Sequence, residues 1–271
     1  MEAKDYLIKA DDSVPAIKKF AILSNFNEKL KFLSAIAEEE NWDFPEKNDV
    51  HPVLFQYIYH TFNRVLKENK VSIYDDSIAI FNTGLLSKNG EDIYCLFKRT
   101  TDADDTKQKW YLDSFYKESD RNLVNFHPLP SVADYYNSIS GEEVDTYFDC
   151  SKDIQCNIDH IIDERIDRMP SVFQTFDKQT QLYIFQGAFD KLKKKLKRNR
   201  RLAVPQIYKD RMTYLLPMDI CGTTVALAVE RVGSIYRANT LFTLEMAYTN
   251  ARLLATPDSN WLTNSKKKEA N

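Results

Sequence analysis

Glycine is scarce in this chain, with only six among 271 residues. The patterns Gly-x-Gly-x-x-Gly and Gly-x-x-x-x-Gly-Lys-Ser/Thr do not occur, and neither does Gly-x-Ser-x-Gly. Each of these motifs needs glycine where the backbone turns sharply or approaches a phosphate closely. Their absence argues against dinucleotide-fold, P-loop and α/β-hydrolase chemistry.

Long apolar runs are also missing. No stretch approaches the roughly 18 to 20 apolar residues with which a helix crosses a bilayer. Residues Met1 to Tyr6 include acidic side chains and lack the apolar core of a signal peptide. These absences predict a cytoplasmic protein that does not enter a membrane.

The cysteines are few and widely spaced. The chain contains four, Cys95, Cys150, Cys156 and Cys221, and no two of them form a Cys-x-x-Cys pair. The four histidines are scattered and do not add a ligand pair at zinc spacing. We therefore expect reduced thiols, no metal site and no cofactor.

Charge is nearly balanced over the whole chain but concentrated in one place. The 37 lysines and arginines offset most of the 40 aspartates and glutamates, which leaves a net charge of −3. Residues 191–201 nevertheless carry eight positive charges in eleven positions. Such a concentration attracts a polyanion, whereas the net charge excludes a surface that is basic throughout.

Two interpretations of residues 191–201 stay open. Lysines at a helix C-terminus are favoured by the helix dipole and need no ligand. Arginine, in contrast, forks onto phosphate oxygens, and the amides of Asn and Gln pair with base edges. The resulting candidates are Lys193, Lys194, Lys195 and Lys197 for electrostatic steering, Arg198 and Arg201 for phosphate, and Asn199 and Gln206 for bases or sugars.

Hydrophobic periodicity predicts an α+β fold in a single compact domain. Residues 1–70 have helical spacing, and residues 71–262 mix strands of period two with helices. The pair Asn89-Gly90 predicts a hairpin turn, so we expect a mainly antiparallel sheet with helices packed on it. The domain is predicted to span residues 1–262, with a disordered tail at 263–271.

Two helices in the second half are predicted in more detail. Asp177 is placed to cap a helix whose apolar residues recur at spacings of three and four, which predicts a buried face. These apolar residues are Leu182, Phe185, Phe189, Leu192 and Leu196. We expect a last helix that starts at Asn239 or Thr240 and runs through Leu254.

Polar residues interrupt two of the apolar segments. Phe81-Asn82-Thr83-Gly84-Leu85 places a polar pair and a glycine inside a strand, which is typical of a bulge or of a close approach to a ligand. Both interpretations of Asn82 and Thr83 stay open. In the last helix, Tyr248 and Arg252 share one face with Glu245. Arg252 is a candidate for neutralising phosphate, and an internal ion pair with Glu245 is the alternative interpretation.

His160 and Glu164 are candidates for acid–base catalysis. They lie four residues apart on a predicted helix, so the carboxylate is placed to orient the imidazole. An ordinary surface pair on the helix is the alternative interpretation. Arg168, which follows in the same segment just before Pro170, is a further candidate for contacting phosphate.

Taken together, these segments resemble a bacterial family catalogued as domain of unknown function 3825. The resemblance covers about Leu33 to Leu262. It rests on the following stretches: Phe81–Leu85, His160-Ile161-Ile162 with Arg168-Met169-Pro170, Arg198-Asn199 with Val204-Pro205-Gln206, Met246-Ala247-Tyr248-Thr249-Asn250-Ala251-Arg252-Leu253, and Trp261-Leu262. Its members resemble proteins in which the domain accompanies cold-shock or LOTUS-type RNA-binding modules, which implies an RNA-linked role by association.

The leading hypothesis is a domain that binds RNA or a nucleotide in a pocket lined by Arg, Asn and Gln. Tyr248 and Asn250 belong to the predicted ligand-binding set together with the residues above. One alternative is a metal-independent phosphodiesterase or ribonuclease that uses His160. Another is a protein–protein interaction module, and self-association into a homo-oligomer is left open.

Overall fold

The computed structural model describes residues 2–11, 13–43, 50–101, 107–137, 146–208 and 211–263. The chain divides into two compact units, Met1–Asp134 and Tyr135–Asn271. Each unit combines helices with a largely antiparallel sheet, which confirms the α+β class. The prediction of one domain over residues 1–262 stays a prediction. Apart from Thr263, the predicted tail lies outside the described residues.

The first unit places its helices ahead of most of its sheet in the chain. In the described residues the sheet has the order β1-β5-β4-β3-β2, with β1 parallel to β5 and the other neighbours antiparallel. The elements are α1 (Ala16–Phe20), β1 (Ala21–Ile22), α2 (Phe26–Ile36), α3 (Pro52–Lys67), β2 (Ser72–Tyr74), β3 (Ile78–Leu86), β4 (Asp92–Arg99) and β5 (Trp110–Lys117).

Helix α3 is the central helix of this unit. Pro52 occupies its first position, where the missing N–H of proline is not needed. Its apolar stripe includes Ile58 and Phe62, both fully buried. The Phe62 ring packs against Phe81 and Phe97 at centroid distances of 5.3 and 5.8 Å, so α3 is fixed on the sheet by aromatic contacts.

The second unit contains a sheet with the order β6-β10-β9-β8-β7 in the described residues, antiparallel except that β6 runs parallel to β10. Its elements are β6 (Ile154–Cys156), α4 (Ile158–Arg165), α5 (Ser171–Gln174), α6 (Lys178–Arg198), β7 (Val204–Tyr208), β8 (Arg211–Ile220), β9 (Thr223–Val232), β10 (Ile235–Phe242), α7 (Leu244–Arg252) and α8 (Asn260–Thr263).

Helices cover both faces of this second sheet. On one face, α6 buries Phe185 and Phe189 against a core that includes Leu216 of β8. On the other face, Ala247 of α7 packs into a smaller cluster with Leu215. Because successive strand residues point to opposite faces, β8 serves both cores. The predicted buried face of α6 is confirmed, and the Asp177 carboxylate caps the helix by accepting from the Thr180 amide at 3.0 Å.

The predicted start of the last helix was wrong. Asn239 and Thr240 belong to β10, and α7 begins only at Leu244, with the Thr243 hydroxyl accepting from the Met246 amide. Strand β10 continues through Phe242 because it is paired with β9 on both sides of an irregularity between Ala238 and Thr240. The ladder of backbone hydrogen bonds thus outweighs the local tendency of Asn and Thr to cap a helix.

Candidate functional site

The basic C-terminal half of α6 presents two stripes with different partners. Lys191 and Lys195 both approach the Asp219 carboxylate, at 3.9 and 3.1 Å. Lys193, Lys194 and Lys197 lie on another face of the helix, at the spacing that places residues side by side on a helix surface. The four predicted steering lysines are therefore divided, since Lys195 is engaged with Asp219.

Lys193, Lys194 and Lys197 line a cavity of about 390 Å³, called here the lysine cavity. Its opposite wall is the chain leading into β6, which contributes Lys152 and Phe148. Two carboxylates also line the cavity, those of Asp153 and Asp190. Four lysines against two aspartates leave the lining with an excess of positive charge.

The lysines of the cavity differ in how far they are neutralised. Lys193 Nζ lies 3.3 Å from the Asp190 carboxylate and 4.7 Å from the centroid of the Phe189 ring. A hydrogen bond from Gln186, followed by the hydrogen bond from Lys193, lowers the pKa of Asp190, so this carboxylate is ionised at neutral pH. Among the described residues, Lys194 and Lys197 form no ion pair. They are the cations of the cavity most available to a ligand.

The wall opposite α6 is held in place by the aromatic core. The Asp149 amide donates to the Tyr236 hydroxyl at 2.9 Å, and the Tyr214 hydroxyl donates to the Tyr147 carbonyl at 2.9 Å. Between these two bonds, the Phe148 ring stacks on Tyr236 with a centroid distance of 4.5 Å. Since the Tyr236 amide also donates to the Asp153 carbonyl, both ends of this wall are fixed.

An exposed aromatic ring and an arginine stand beside the lysine cavity. The Arg200 guanidinium lies 5.0 Å from the centroid of the Tyr147 ring, and 65% of Tyr147 is exposed. Tyr147 directly precedes Phe148 of the cavity wall, and the Arg200 charge acts on Cys150, which lines the cavity. A ring of this kind, next to cations, is the arrangement on which nucleobases stack.

Two thiols near the cavity are unsuited to nucleophilic chemistry. Burial raises the pKa of Cys150, against the opposing effect of Arg200. Burial also raises the pKa of Cys156 to about 11, despite the nearby charge of Lys193. All four cysteines of the chain are free, and the two near the cavity are protonated thiols at neutral pH.

The residues after α6 that are predicted to contact phosphates and bases lie on the surface. Arg198 is exposed and donates from Nη1 to the Lys194 carbonyl at 2.8 Å, which caps the end of the helix. The side-chain Oδ1 of Asn199 accepts from the Arg201 backbone amide at 3.1 Å and so fixes the following 3₁₀ turn. Arg201 is exposed. This segment extends the basic surface from α6 towards β7.

Gln206 and the predicted residues of the last helix lie on the opposite face of the sheet from α6. Gln206 is buried in β7, beneath α7, and its Oε1 makes no hydrogen bond with a described residue. Tyr248 and Asn250 of α7 are half-buried, and Arg252 at its end is buried. These four side chains belong to the α7 side of the second unit, away from the lysine cavity.

Arg168 occupies a third position in the second unit. Its Nη1 donates to the Leu241 carbonyl at 2.8 Å and to the Thr240 hydroxyl at 3.3 Å. The guanidinium also lies 5.6 Å from the centroid of the Phe242 ring. Arg168 therefore anchors the segment after α4 to the end of β10.

Asn82 and Thr83 lie in the first unit and are buried in a bulge of β3. The side-chain Nδ2 of Asn82 donates to the Asp92 carboxylate at 3.1 Å, and its Oδ1 accepts from the Gly84 backbone amide at 2.8 Å. The Thr83 hydroxyl donates to the Ile93 carbonyl at 2.6 Å. These bonds give both side chains a structural partner within the β3–β4 hairpin, which favours the bulge interpretation of this motif.

The His160–Glu164 pair forms as its spacing predicts, with 3.4 Å between Nδ1 and Oε1. The two side chains are 54% and 46% exposed. The Glu164 carboxylate also forms an ion pair with the Arg165 guanidinium, at 3.3 Å. The contacts are those of an exposed helix surface, and the pair does not line the lysine cavity.

Two kinds of feature, a metal-binding cluster and a membrane-spanning helix, are absent from the described part of the chain. It contains no cluster of three His, Cys, Asp or Glu side chains that could hold a metal ion. None of its helices is both long enough and apolar enough to cross a membrane.

Sequence reasoning missed Tyr147 and Lys152, and it noted Arg200 beside Asn199 without including it among the site residues. Arg200 lies inside the charge run, but nothing in the run distinguishes it from its neighbours. Tyr147 and Lys152 lie close to the C-terminal end of α6 because β6, which follows them, pairs in parallel with β10, about 80 residues later in the chain. An aromatic pair shortly before a lysine, Tyr147-Phe148 and Lys152, is the one local signal that could have indicated them.

Comparisons with known proteins identify the family to which this chain belongs. No match was found among curated proteins or among solved structures. The profile of the family described as domain of unknown function (DUF3825) matches residues 33–261, which include the lysine cavity and most of both units. The chain therefore belongs to the DUF3825 family.

Proposed function

We propose that this protein binds RNA, in single-stranded form, through the lysine cavity of its second unit. The observation that carries the proposal is the position of Lys152, Lys193, Lys194 and Lys197 around one cavity beside the exposed ring of Tyr147. The lysines supply charge for phosphates, and the ring supplies a stacking surface for a base. Both are properties of proteins that bind single strands without a fixed sequence.

Electrostatics favours an extended polyanion over a single small anion. The basic surface continues beyond the cavity through the exposed side chains of Arg198, Arg200 and Arg201. A polynucleotide backbone carries one charge per residue and releases condensed counterions when cations replace them. Lys194 and Lys197 would receive phosphates in the cavity, and the arginines would receive those that follow along the strand.

The Tyr147 ring favours RNA over a polyanion without bases, because a base can stack on it. Tyr147 is already in contact with Arg200, so a base stacking on the ring would gain from the neighbouring cation as well. Single-stranded RNA offers unstacked bases, whereas a duplex keeps its bases inside. The proposal includes a bacterial, cytoplasmic setting, and it accords with the expectation that family members accompany cold-shock or LOTUS-type RNA-binding modules.

The test measures binding of a fluorescent, unstructured oligouridine by anisotropy at several salt concentrations. For single strands, the logarithm of the binding constant falls with the logarithm of salt by about 0.7 per neutralised phosphate. We expect a slope of about −3 to −4 for the native protein, from five cations that each neutralise one phosphate, and a slope closer to zero by about 1.4 for the Lys194→Ala/Lys197→Ala variant.

A matched control is available on the same helix. Lys191→Ala/Lys195→Ala removes the same charge from the stripe that faces Asp219 instead of the cavity. This control should keep nearly all of the native affinity and slope. Equal weakening in the two double variants would mean that net charge alone attracts RNA, and it would overturn the assignment to the lysine cavity.

A further inference from the structure

A serine, a histidine and an aspartate of the first unit form one hydrogen-bonded chain. Ser34 Oγ lies 2.9 Å from Nε2 of His51. The other ring nitrogen of His51, Nδ1, lies 3.0 Å from Oδ2 and 3.1 Å from Oδ1 of Asp43. All three distances are those of hydrogen bonds. A hydroxyl, an imidazole and a carboxylate in this order are the arrangement by which enzymes activate a serine as a nucleophile.

The partners of the imidazole decide where its proton lies. A carboxylate only accepts hydrogen bonds, so Nδ1 of His51 donates to Asp43 and leaves Nε2 of the neutral ring as an acceptor. The Ser34 hydroxyl has a single proton, for which Nε2 and the Lys31 carbonyl, at 3.0 Å from Oγ, compete. Rotation of the hydroxyl towards Nε2 gives the hydrogen bond through which His51 can act as a general base.

Ser34 and His51 are held by two helices that pack together. Ser34 follows Leu33 of α2, which is fully buried. His51 is the residue that caps the N-terminus of α3. The rings of Phe26 and Phe55, one from each helix, have a centroid distance of 5.6 Å. The hydrophobic core therefore positions the nucleophile and its base relative to each other.

Asp43 is held against the start of α3. Its Oδ1 also accepts from the His51 backbone amide, at 3.0 Å. The preceding residue, Trp42, is buried, and its carbonyl accepts from the Val53 amide at 3.1 Å. His51 has a left-handed backbone with a φ of +47°, which is uncommon for a residue that carries a side chain. Backbone strain of this kind is concentrated at active sites and ligand clamps.

The three side chains are accessible from solvent, and the charge around them is acidic. His51 and Asp43 are 21% and 57% exposed, and Ser34 is half-buried. Residues 38 and 39, just after α2, are both exposed glutamates, whereas Lys31 is paired with a glutamate of its own helix. Carboxylates nearby repel an anionic substrate. The surroundings therefore favour an uncharged or cationic carboxylic ester over a phosphate ester.

We propose that Ser34, His51 and Asp43 form a hydrolytic site for carboxylic esters. Ser34 Oγ attacks the ester carbonyl carbon while His51 Nε2 takes its proton, and the Asp43 carboxylate stabilises the imidazolium. The bond to the alkoxide then breaks, and the alkoxide leaves as an alcohol with the proton from His51. Water attacks the acyl group on Ser34 in the same way, giving its proton to His51, and Ser34 Oγ leaves and takes that proton back. The products are one alcohol and one carboxylic acid.

The position of the site in the fold is compatible with this chemistry. Helix α3 begins beside His51, so the positive end of its dipole favours the negative charge that develops on the ester oxygen. Serine, histidine and aspartate form such sites on unrelated folds, so the Gly-x-Ser-x-Gly turn is not required. The site shares no residue with the lysine cavity, and its activity would not depend on RNA.

An uncharged fluorophosphonate probe tests the nucleophile on the full chain. The probe forms a phosphonate ester with an activated serine and releases fluoride. Mass spectrometry with peptide mapping should show a single adduct, on Ser34. The adduct should be absent from Ser34→Ala and should form about 100-fold or more slowly in His51→Gln. Ser171→Ala is the matched control, since it removes an exposed hydroxyl at the start of α5, and it should be labelled like the native protein.

Turnover of p-nitrophenyl acetate tests the role of Asp43 as a positioning residue. Asp43→Asn should lower kcat by about tenfold, through the loss of one hydrogen bond to a charged ring. KM should not change, because Asp43 contacts His51 and not the ester. A structural defect would instead lower the labelled fraction of the protein together with its circular dichroism.

Three results would overturn the proposal: no adduct on the native protein, an adduct on a serine other than Ser34, or equal labelling rates in the native protein and His51→Gln. The hydrogen-bonded chain would then serve only to join α2 to α3. Because the first two results are obtained on the native protein, a variant that fails to fold does not prevent the decision. The phosphonylated protein should bind oligouridine like the native protein, so this proposal and the proposed RNA binding can fail separately.

Discussion

Tyr57 donates a 3.0 Å hydrogen bond from its hydroxyl to the carbonyl of Thr83, and the same hydroxyl oxygen lies 2.8 Å from the place that a Cβ would take at Gly84. Gly84 also has a φ of +72°, in the left-handed region. The bulge of β3 thus depends on glycine for two reasons, the backbone conformation and the close approach of Tyr57.

We expect Gly84→Ala to lower the free energy of unfolding by about 2–4 kcal/mol, from backbone strain and from displacement of Tyr57. Gly90 has a φ of +79° with nothing near its absent Cβ, so Gly90→Ala should cost only the backbone part, about 1 kcal/mol. Urea denaturation measures both. Adding Tyr57→Phe to Gly84→Ala should recover part of the loss, because it removes the crowded hydroxyl. Equal losses at the two glycines would contradict this account.

The stability of the protein should fall in mild acid because of His60. Its pKa in the folded state is below the usual 6.5, since the protein packed around part of the ring disfavours the imidazolium, and the effect is small because the side chain is also exposed to solvent. As the pH falls below about 6.5, the unfolded state binds a proton that the folded state does not, so the free energy of unfolding decreases until the folded pKa is reached.

Denaturation at pH 7.5 and pH 5.5 tests this for His60→Gln. The variant should lose less stability between the two pH values than the native protein does, because glutamine does not titrate. An identical pH dependence in the two proteins would remove His60 from the acid sensitivity of the fold.

Replacing Tyr147 should weaken RNA binding without unfolding the protein. Stacking of one base on an aromatic side chain contributes about 1–3 kcal/mol, so Tyr147→Ala should raise the dissociation constant by about 5- to 150-fold. Tyr183→Ala is the control, since this tyrosine of α6 is 70% exposed and does not line the lysine cavity. Anisotropy with the same oligouridine gives both constants. Equal affinity of the two variants would exclude the Tyr147 ring as a stacking surface.

Gln206 should not contribute to the stability of the free protein. Its buried Oε1 makes no hydrogen bond with a described residue, and an unsatisfied buried acceptor costs about 1–3 kcal/mol. Gln206→Met should therefore leave the free energy of unfolding unchanged or raise it by about 1 kcal/mol. Thr213→Val, opposite Gln206 on β8, should lower it, because the Thr213 hydroxyl does have a partner in the Gln206 carbonyl. A loss of more than about 1 kcal/mol in Gln206→Met would contradict this expectation.

Local patterns predicted the elements better than they predicted the site. The stripe from Leu182 to Leu196 identified the buried face of α6, because one helix period decides which side chains face the core. The end of β10 was not predictable in this way, since pairing with β9 holds Asn239 and Thr240 in a strand. At these two residues the partner strand determines the backbone conformation, and the local sequence does not reveal which strand that is.

The same limit applies to the candidate site. The spacing of Lys193, Lys194 and Lys197 already places them on one side of a helix. The wall with Tyr147 and Lys152 depends on the parallel pairing of β6 with β10, a contact between distant parts of the chain. Conversely, the side chains of Asn82 and Thr83 form hydrogen bonds inside their own hairpin. From the residue types alone, these internal partners could not be distinguished from groups that bind a ligand.

The wall of the lysine cavity is tied down by two tyrosine hydroxyls and by the stacked ring of Phe148 before anything binds. The conformational entropy of that loop is consequently lost during folding and not during association. An RNA strand that binds there as proposed would meet a rigid template and would not have to order it. The encounter rate would then be governed by long-range attraction and the lifetime of the complex by the few contacts that the template offers.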